Sequence, residues 1–388
     1  MNNNSATRFM RAGNLWLTFA VIFLVLSANA PGQNSQPTAQ NASTASAPDS
    51  PSQTVLSSLA NLPESDTIIY INSQRILNEA APKVMPEKDV SNMRSAFNQI
   101  RQNAGIDPSK LDYIVIAVRF RKPSAELNFV PPEFMVVISG DFSADSLMIL
   151  AKAAARDKLR DEKYGSKTLS VLTVEAIAKQ TETNPLLKSF SEVAIVPFSA
   201  NSIAAGTTGY LKAAVDAADG RGRISTESLN SLLRDPSALL SIAGSPLTSF
   251  SKSFGLLGTE TSARDSRCDS KFGDFYAALT MDATNFMLRG AMNADNPDTA
   301  RVIKSLLSNL LQQAAGSVPD RTAQSVLKTL SIIPEDNEVV WRADIPQQMI
   351  SEFIREQMKP KQKISAPVKT PAPAAKRRPT HRRTKPSK

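Results

Sequence analysis

The chain has one histidine, one cysteine and two tryptophans in 388 residues. The histidine, His381, sits between Thr380 and Arg382 near the C-terminus. A foldable part without histidine cannot run Ser-His-acid or Cys-His nucleophilic chemistry, and it cannot build a His-based zinc site. The lone thiol, Cys268, excludes an intramolecular disulfide, which a body of this size does not need. Its neighbours Arg264, Asp265, Arg267, Asp269 and Lys271 make it an incidental thiol in a polar loop, with intermolecular pairing as the alternative. Trp16 lies in an apolar leader, which leaves Trp341 alone, too little for an aromatic platform that stacks on sugars.

The remaining motifs carry little chemistry. Ser249–Lys252 and Ser325–Lys328 match Ser-x-x-Lys, but the Ser-Asp-Asn and Lys-Thr-Gly partners of a penicillin-recognising enzyme do not occur. Ser325 and Lys328 fit the exposed side of a helix. "GRGR" (220–223) lacks the third glycine of a dinucleotide fingerprint and follows a helical pattern rather than a strand. It reads as a helix-to-helix turn with Arg221 and Arg223 in solvent, an anion-binding nest being the alternative. "RDKLRDEKYG" (156–165) reads as an exposed, ion-paired helix end, where the adjacent Asp161 and Glu162 point to different sides. No catalytic residue, metal ligand or cofactor is expected.

The charge is segregated. The chain carries 45 Lys+Arg against 36 Asp+Glu, a net of +9. Residues 359–388 hold eleven of the cations and no acid, so the preceding residues sum to −2. A folded nucleic-acid binder would carry its cations on the body. This tail, rich in Pro and Ala, has too little apolar surface to offset the entropy of ordering and is expected to be a solvated arm. At the other end, Arg8 and Arg11 precede the twelve-residue run "LWLTFAVIFLVL" (15–26), followed by Ala28 and Ala30 in a small-x-small arrangement. This pattern describes a secretory signal. A helix of twelve residues spans about 18 Å, short of the ~30 Å hydrocarbon core. Pro31 disfavours cutting after Ala30, so an uncleaved N-terminal anchor is the alternative. No Cys follows the run, which excludes a lipid-modified N-terminus. The expected location is the periplasm or cell envelope. There the arm, with Lys376, Arg377, Arg378, Arg382, Arg383 and Lys385, would meet anionic lipid head groups, lipopolysaccharide or cell-wall polymer rather than nucleic acid.

Between these ends, residues 31–60 form a Ser/Ala/Pro/Gln-rich linker. The body alternates β-rich runs with helical periodicities. "LDYIVIAVRF" (111–120) and "EFMVVISGDF" (133–142) suggest a hairpin; strands are also read at 167–174, 192–198 and 201–207, and a helix at "YLKAAVDAA" (210–218). The second half echoes the first. "FMVVISGDFSAD" resembles "FMLRGAMNAD" (286–295), "KTLS" recurs at 167–170 and 328–331, and "DTIIYIN" (66–72) has a counterpart in "SALLSIAG" (237–244). This repetition predicts an α+β fold made of two tandem ferredoxin-like βαββαβ units from an internal duplication. The units are placed at 61–219 and 220–358, with antiparallel sheets and helices on one face, sharing a sheet or packing across a groove.

The segment "LPESDTIIYIN", the duplicated α+β organisation and the exported N-terminus together resemble uncharacterised exported bacterial envelope proteins with a domain of unknown function. That resemblance implies no activity and no functional residues. The leading expectation is a non-enzymatic envelope protein: a binding or scaffolding body with a basic arm. A hydrolase or inhibitor-like domain with its site between the halves is the second reading. A nucleic-acid binder, if the chain is not exported, is the third.

Overall fold

The computed structural model describes residues 55, 58–121, 131–155, 158–173, 191–245, 272–317 and 321–358. The leader, nearly all of the linker, the basic tail, Cys268, His381 and Ser249–Lys252 lie outside the described residues. Among the described residues no helix is long and apolar enough to cross a membrane.

The fold is mixed α+β, built on one antiparallel sheet of twelve strands. In chain order the strands are β1 (Thr67–Ile71), β2 (Leu111–Arg119), β3 (Glu133–Gly140), β4 (Leu159–Tyr164), β5 (Lys167–Thr173), β6 (Glu192–Ser199), β7 (Ser202–Thr207), β8 (Leu240–Gly244), β9 (Phe272–Met281), β10 (Asn285–Ala294), β11 (Ser331–Glu335) and β12 (Glu338–Pro346). Across the sheet they run β11-β12-β10-β9-β8-β1-β2-β3-β7-β6-β5-β4. Seven helices are named here: α1 (Glu87–Ala104), α2 (Ala144–Ala155), α3 (Thr208–Ala218), α4 (Thr226–Leu232), α5 (Pro297–Ser317), α6 (Arg321–Lys328) and α7 (Gln347–Met358). A run of short helical pieces from Ser73 to Val84 precedes α1.

The two halves meet where β1 pairs with β8, and the register there is symmetric. Thr67 lies opposite Gly244, Ile69 opposite Ile242 and Ile71 opposite Leu240. From Ile69 a row of backbone partners runs outward through Ile116, Val136, Ala205 and Ile195. From Ile242 the matching row runs through Ala277, Gly290, Trp341 and Ile332. So β1, β2, β3, β7 and β6 occupy the same places as β8, β9, β10, β12 and β11. The echoes at "DTIIYIN"/"SALLSIAG" and "FMVVISGDFSAD"/"FMLRGAMNAD" fall on these equivalent strands. The second is two residues out of step, since Val136 matches Gly290 rather than Leu288; a slip of two keeps each side chain on its face. The "KTLS" pair does not fall on equivalent strands, because β5 belongs to the hairpin β4–β5, which among the described residues only the first half carries.

The strand order does not confirm ferredoxin-like units. A split βαβ arrangement would place a third strand between β1 and β2, but the two are direct antiparallel neighbours. The expectation of helices on one face is also corrected. Val137 and Ile138 are neighbours in β3 and so point to opposite faces. Val137 joins a core with Tyr210, Leu211, Ala214 and Val215 of α3 and Leu232 of α4. Ile138 packs with Leu147 and Met148 of α2 and Ile100 of α1. In the second half α5, α6 and α7 lie on the Ile138 face, over Val339, Leu288 and Ile345. Sheets with both faces apolar must be covered twice, and Leu211 and Val215 alone each contribute about 2 kcal/mol of burial.

The segment read as a helix end at 156–165 is strand β4 from Leu159 onward. Its charges pair at strand spacing, Arg160 to Glu162 at 3.1 Å, and a turn at Gly165 (φ 55°) returns the chain to β5. On α5 the apolar residues Val302, Ile303, Leu306, Leu307, Leu310 and Leu311 form a stripe at helical spacing wider than the contact it makes: Ile303 is buried, whereas Val302 is 61% exposed.

Backbones approach closely at the seam. A Cβ on Gly244 would sit 2.9 Å from the Thr67 Cα and against the Asp66 carbonyl. Gly244→Val is therefore expected to lower stability by about 2–3 kcal/mol, read as a lower urea midpoint at constant slope. An unchanged midpoint would contradict the close pairing of β1 with β8.

Candidate functional site

The residues singled out in the sequence do not converge on one site. Lys376, Arg377, Arg378, Arg382, Arg383 and Lys385 lie outside the described residues. Ser325 and Lys328 are exposed on α6. "GRGR" is the turn between α3 and α4, with Gly220 at φ 95° and Gly222 at φ 65°. Arg221 bonds Asp216 at 2.5 Å. Arg223 is not simply solvated: it donates to the carbonyls of Ala217 (2.7 Å) and Ala218 (3.2 Å) at the end of α3, the first of which also accepts from the Gly220 amide. Asp161 and Glu162 do point apart, Asp161 to Lys152 of α2 (2.6 Å) and Glu162 to Lys212 of α3 (2.5 Å).

Two polar assemblies emerge from the fold. The first is a knot at the start of α3. Glu133 opens β3 with its side chain buried. Arg119, at the end of β2, donates to one carboxylate oxygen through Nε (2.9 Å) and Nη2 (2.6 Å), and Arg121 donates to the other oxygen. The Arg119 guanidinium also lies 4.7 Å from the centre of the Tyr210 ring. The Tyr210 hydroxyl shares a 2.5 Å hydrogen bond with Ser65 and donates to the Glu64 carbonyl at 3.2 Å. Desolvation raises the Tyr210 hydroxyl far above the usual tyrosine range, so it stays protonated. Asp66 accepts from the Phe120 amide at 2.7 Å, and desolvation lifts its carboxyl above the ordinary value. Every oxygen of Glu133 is engaged by a fixed guanidinium, which suits tying α3 to the sheet better than moving protons.

The second assembly is a hollow of about 600 Å³ on the Val137 side of the sheet, in the second half, lined by Arg234, Tyr276, Arg289, Glu335, Glu338 and Arg342 among others. Arg289 bonds Asp344 at 2.6 Å, and Arg342 bonds Glu335 at 3.0 Å. Arg234 stacks on the Tyr276 ring at 4.3 Å. The hollow is open and shallow, its floor the sheet itself, so it presents a surface rather than enclosing a small molecule. Among the described residues no cluster of His, Cys, Asp and Glu could hold a metal ion. The hollow escaped the sequence reading because its charges come from β10, from the β11–β12 hairpin and from Arg234 after α4, three segments far apart in the chain. Its one local signal was charge at positions of β10 and β12 where the first half is apolar.

No family model matches the chain, and no curated protein matches it in sequence. Solved structures of TP0453 are similar at 10% identity. Crystal form III has a TM-score of 0.40 and covers 77% of this chain and 97% of that one. Crystal form I has a TM-score of 0.38 with 77% and 96% covered, and crystal form IV a TM-score of 0.34 with 76% and 95% covered. A likeness this low assigns neither a family nor a function, and the resemblance to exported envelope proteins gains no named relative from it.

Two expectations follow from the ion pairs. Replacing both cations of the knot, Arg119→Met with Arg121→Met, strands a buried carboxylate and should cost about 3 kcal/mol. Glu133→Gln leaves two partly exposed guanidinium groups that water can satisfy and should cost less, about 1 kcal/mol. Equal losses in chemical unfolding would show that Glu133 is not held buried by the pair. The second concerns pH. Asp161 is held below the ordinary carboxylate range by Lys152 and then Ser170, Glu162 by Lys212, and Asp216 by Arg221. Each is more acidic folded than unfolded, so the stability it lends is fully present above about pH 4 and is lost as pH falls through the lowered folded values. A melting temperature that falls more steeply below pH 4 in the native chain than in Asp161→Asn is expected; parallel curves would count against it.

Proposed function

We propose that this chain is a non-enzymatic, exported protein of the bacterial cell envelope, a binding or scaffolding body with a cationic arm that contacts anionic envelope surface. The observation that carries the reading is the segregation of charge: eleven Lys or Arg and no acid in residues 359–388, against a slightly acidic remainder. Within the body several of the charges named above, among them Glu133, Asp161, Glu162, Asp216 and Arg289, face an opposite charge, whereas the arm holds no acid and is a concentrated source of positive field. The apolar leader and the polar linker supply the route outward and the slack between membrane and body. The halves, equivalent strand by strand across β1 and β8, are read as descendants of one duplicated unit.

A catalytic site between the halves is disfavoured by geometry. The seam is a backbone ladder, with α4 on one side and the Ser73–Val84 helical run on the other. The arm is tested by deleting residues 359–388 and washing envelope fractions with increasing salt. The form with the arm should show a fraction released between about 0.1 and 0.5 M salt, as screening shortens, and the form without it should lack that fraction. Both forms are made without residues 1–30 and added to envelope fractions, so that a leader retained as an anchor does not mask the salt-sensitive part. Identical salt profiles would remove the arm's role, and full-length chain confined to the cytoplasm on nucleic acid would replace the reading.

A further inference from the structure

The row equivalence exposes a difference between the halves that neither charge segregation nor export explains. On the Val137 face, first-half rows carry Met135 and Ala204, both fully buried beneath α3. The matching positions in the second half are Arg289 and Val340, and Gly206 is matched by Arg342. The helix that follows β12, α7, crossed to the other face, and among the described residues none of α5 to α7 covers this one. What remains is ordered in three rows. Arg289 and Arg342 form a cationic row. Two residues further along the strands lies an apolar row in which Ala291 is already buried, Val340 is half-buried and Ile333 is 42% exposed, so Val340 and Ile333 are what it presents. Two residues beyond that, Glu338 and Glu335 form an acidic row. Rows two residues apart are separated by about 6.8 Å.

We propose that this face is a homodimer interface, with a second copy of this chain as its occupant. The charge pattern is self-complementary in one arrangement. A two-fold axis lying along the apolar row turns one sheet to face the other and exchanges the flanks. Arg342 then lies opposite the partner's Glu338, Glu338 opposite the partner's Arg342, and Ile333 against its own copy. An isologous contact requires such a match of a patch with itself. An apolar centre with a charged rim and with Arg and Tyr at the edge has the anatomy of a protein interface. The existing pairs do not oppose the exchange: the side chains of Arg342 and Glu335 are 52% and 48% exposed, and exposed pairs of this kind are weak and readily repartnered. The four strands present only about 300 Å² of plane per copy, well below a standard interface, so the dimer belongs to the weak, transient class and forms only at high concentration. This inference stands on the body alone and holds in any compartment.

The experiment is sedimentation of the full chain over about 1–100 μM, together with two charge-reversed variants whose folding is verified by circular dichroism. Arg289→Glu with Arg342→Glu makes both flanks acidic; Glu335→Arg with Glu338→Arg makes both basic. The native chain should show a monomer–dimer equilibrium, and each variant alone should dissociate at least about ten-fold more readily. Mixed in equal amounts, the two variants should form a heterodimer at close to native strength, since the acidic flanks of one meet the basic flanks of the other. The proposal is overturned by a native chain that stays monomeric at 100 μM, by variants that dimerise as the native chain does, or by a mixture that stays monomeric.

Discussion

The antiparallel pairing of β1 with β8 is the constraint on which the rest depends. Five residues on each side form the ladder, and it converts two half-sheets, each with an unpaired edge, into one sheet of twelve strands. An exposed central strand such as "TIIYI" would be a template for unwanted association; pairing it with "LSIAG" satisfies its backbone groups and buries Ile68 and Ala243 on the same face. The two remaining edges, β11 and β4, are of another kind. One is short and contains Pro334, and the other is dominated by charge, both of which discourage further strand addition.

Symmetry at the seam makes the departures from symmetry legible. The first half carries the extra hairpin β4–β5, and its last helix lies on the face that the corresponding helix of the second half avoids. Side chains follow the helix. Where α3 lies, the sheet presents Met135, Val137, Ala204 and Val196, none of which could be left in water without cost. Where, among the described residues, no equivalent helix lies, Arg289 and Arg342 stand beside apolar residues. The knot around Glu133 belongs to the same choice, since it fixes the first turn of α3 through Arg119, Tyr210 and Ser65. In the matching place of β10 stands Met287, which has no carboxylate to receive such cations.

Much of the strand content was legible because β-branched runs and turn residues mark it locally: β2, β3, β6 and β7 lie close to where alternation and turns put them. The helix stripes were legible in kind but not in orientation. Val302 fits the α5 stripe yet faces solvent, because a stripe wider than the contact leaves its margin exposed and only packing decides which margin. The segment containing Asp161 and Glu162 misled, since alternating charges satisfy helical and strand spacings alike and the turn at Gly165 decides between them. Arg223 looked like a surface cation until the carbonyls at the end of α3 were seen beside it.

By itself the sequence determined the segregation of charge, the apolar leader, the single thiol and histidine, the α+β alternation and the repetition of short motifs, because each of these is a property of neighbours along the chain. The tertiary structure alone decided that the halves share one sheet, which face each helix covers, and that Arg289, Arg342, Glu335 and Glu338 gather on one surface. Those outcomes depend on strand order and register, which set spatial neighbours across long separations and leave no trace in local periodicity.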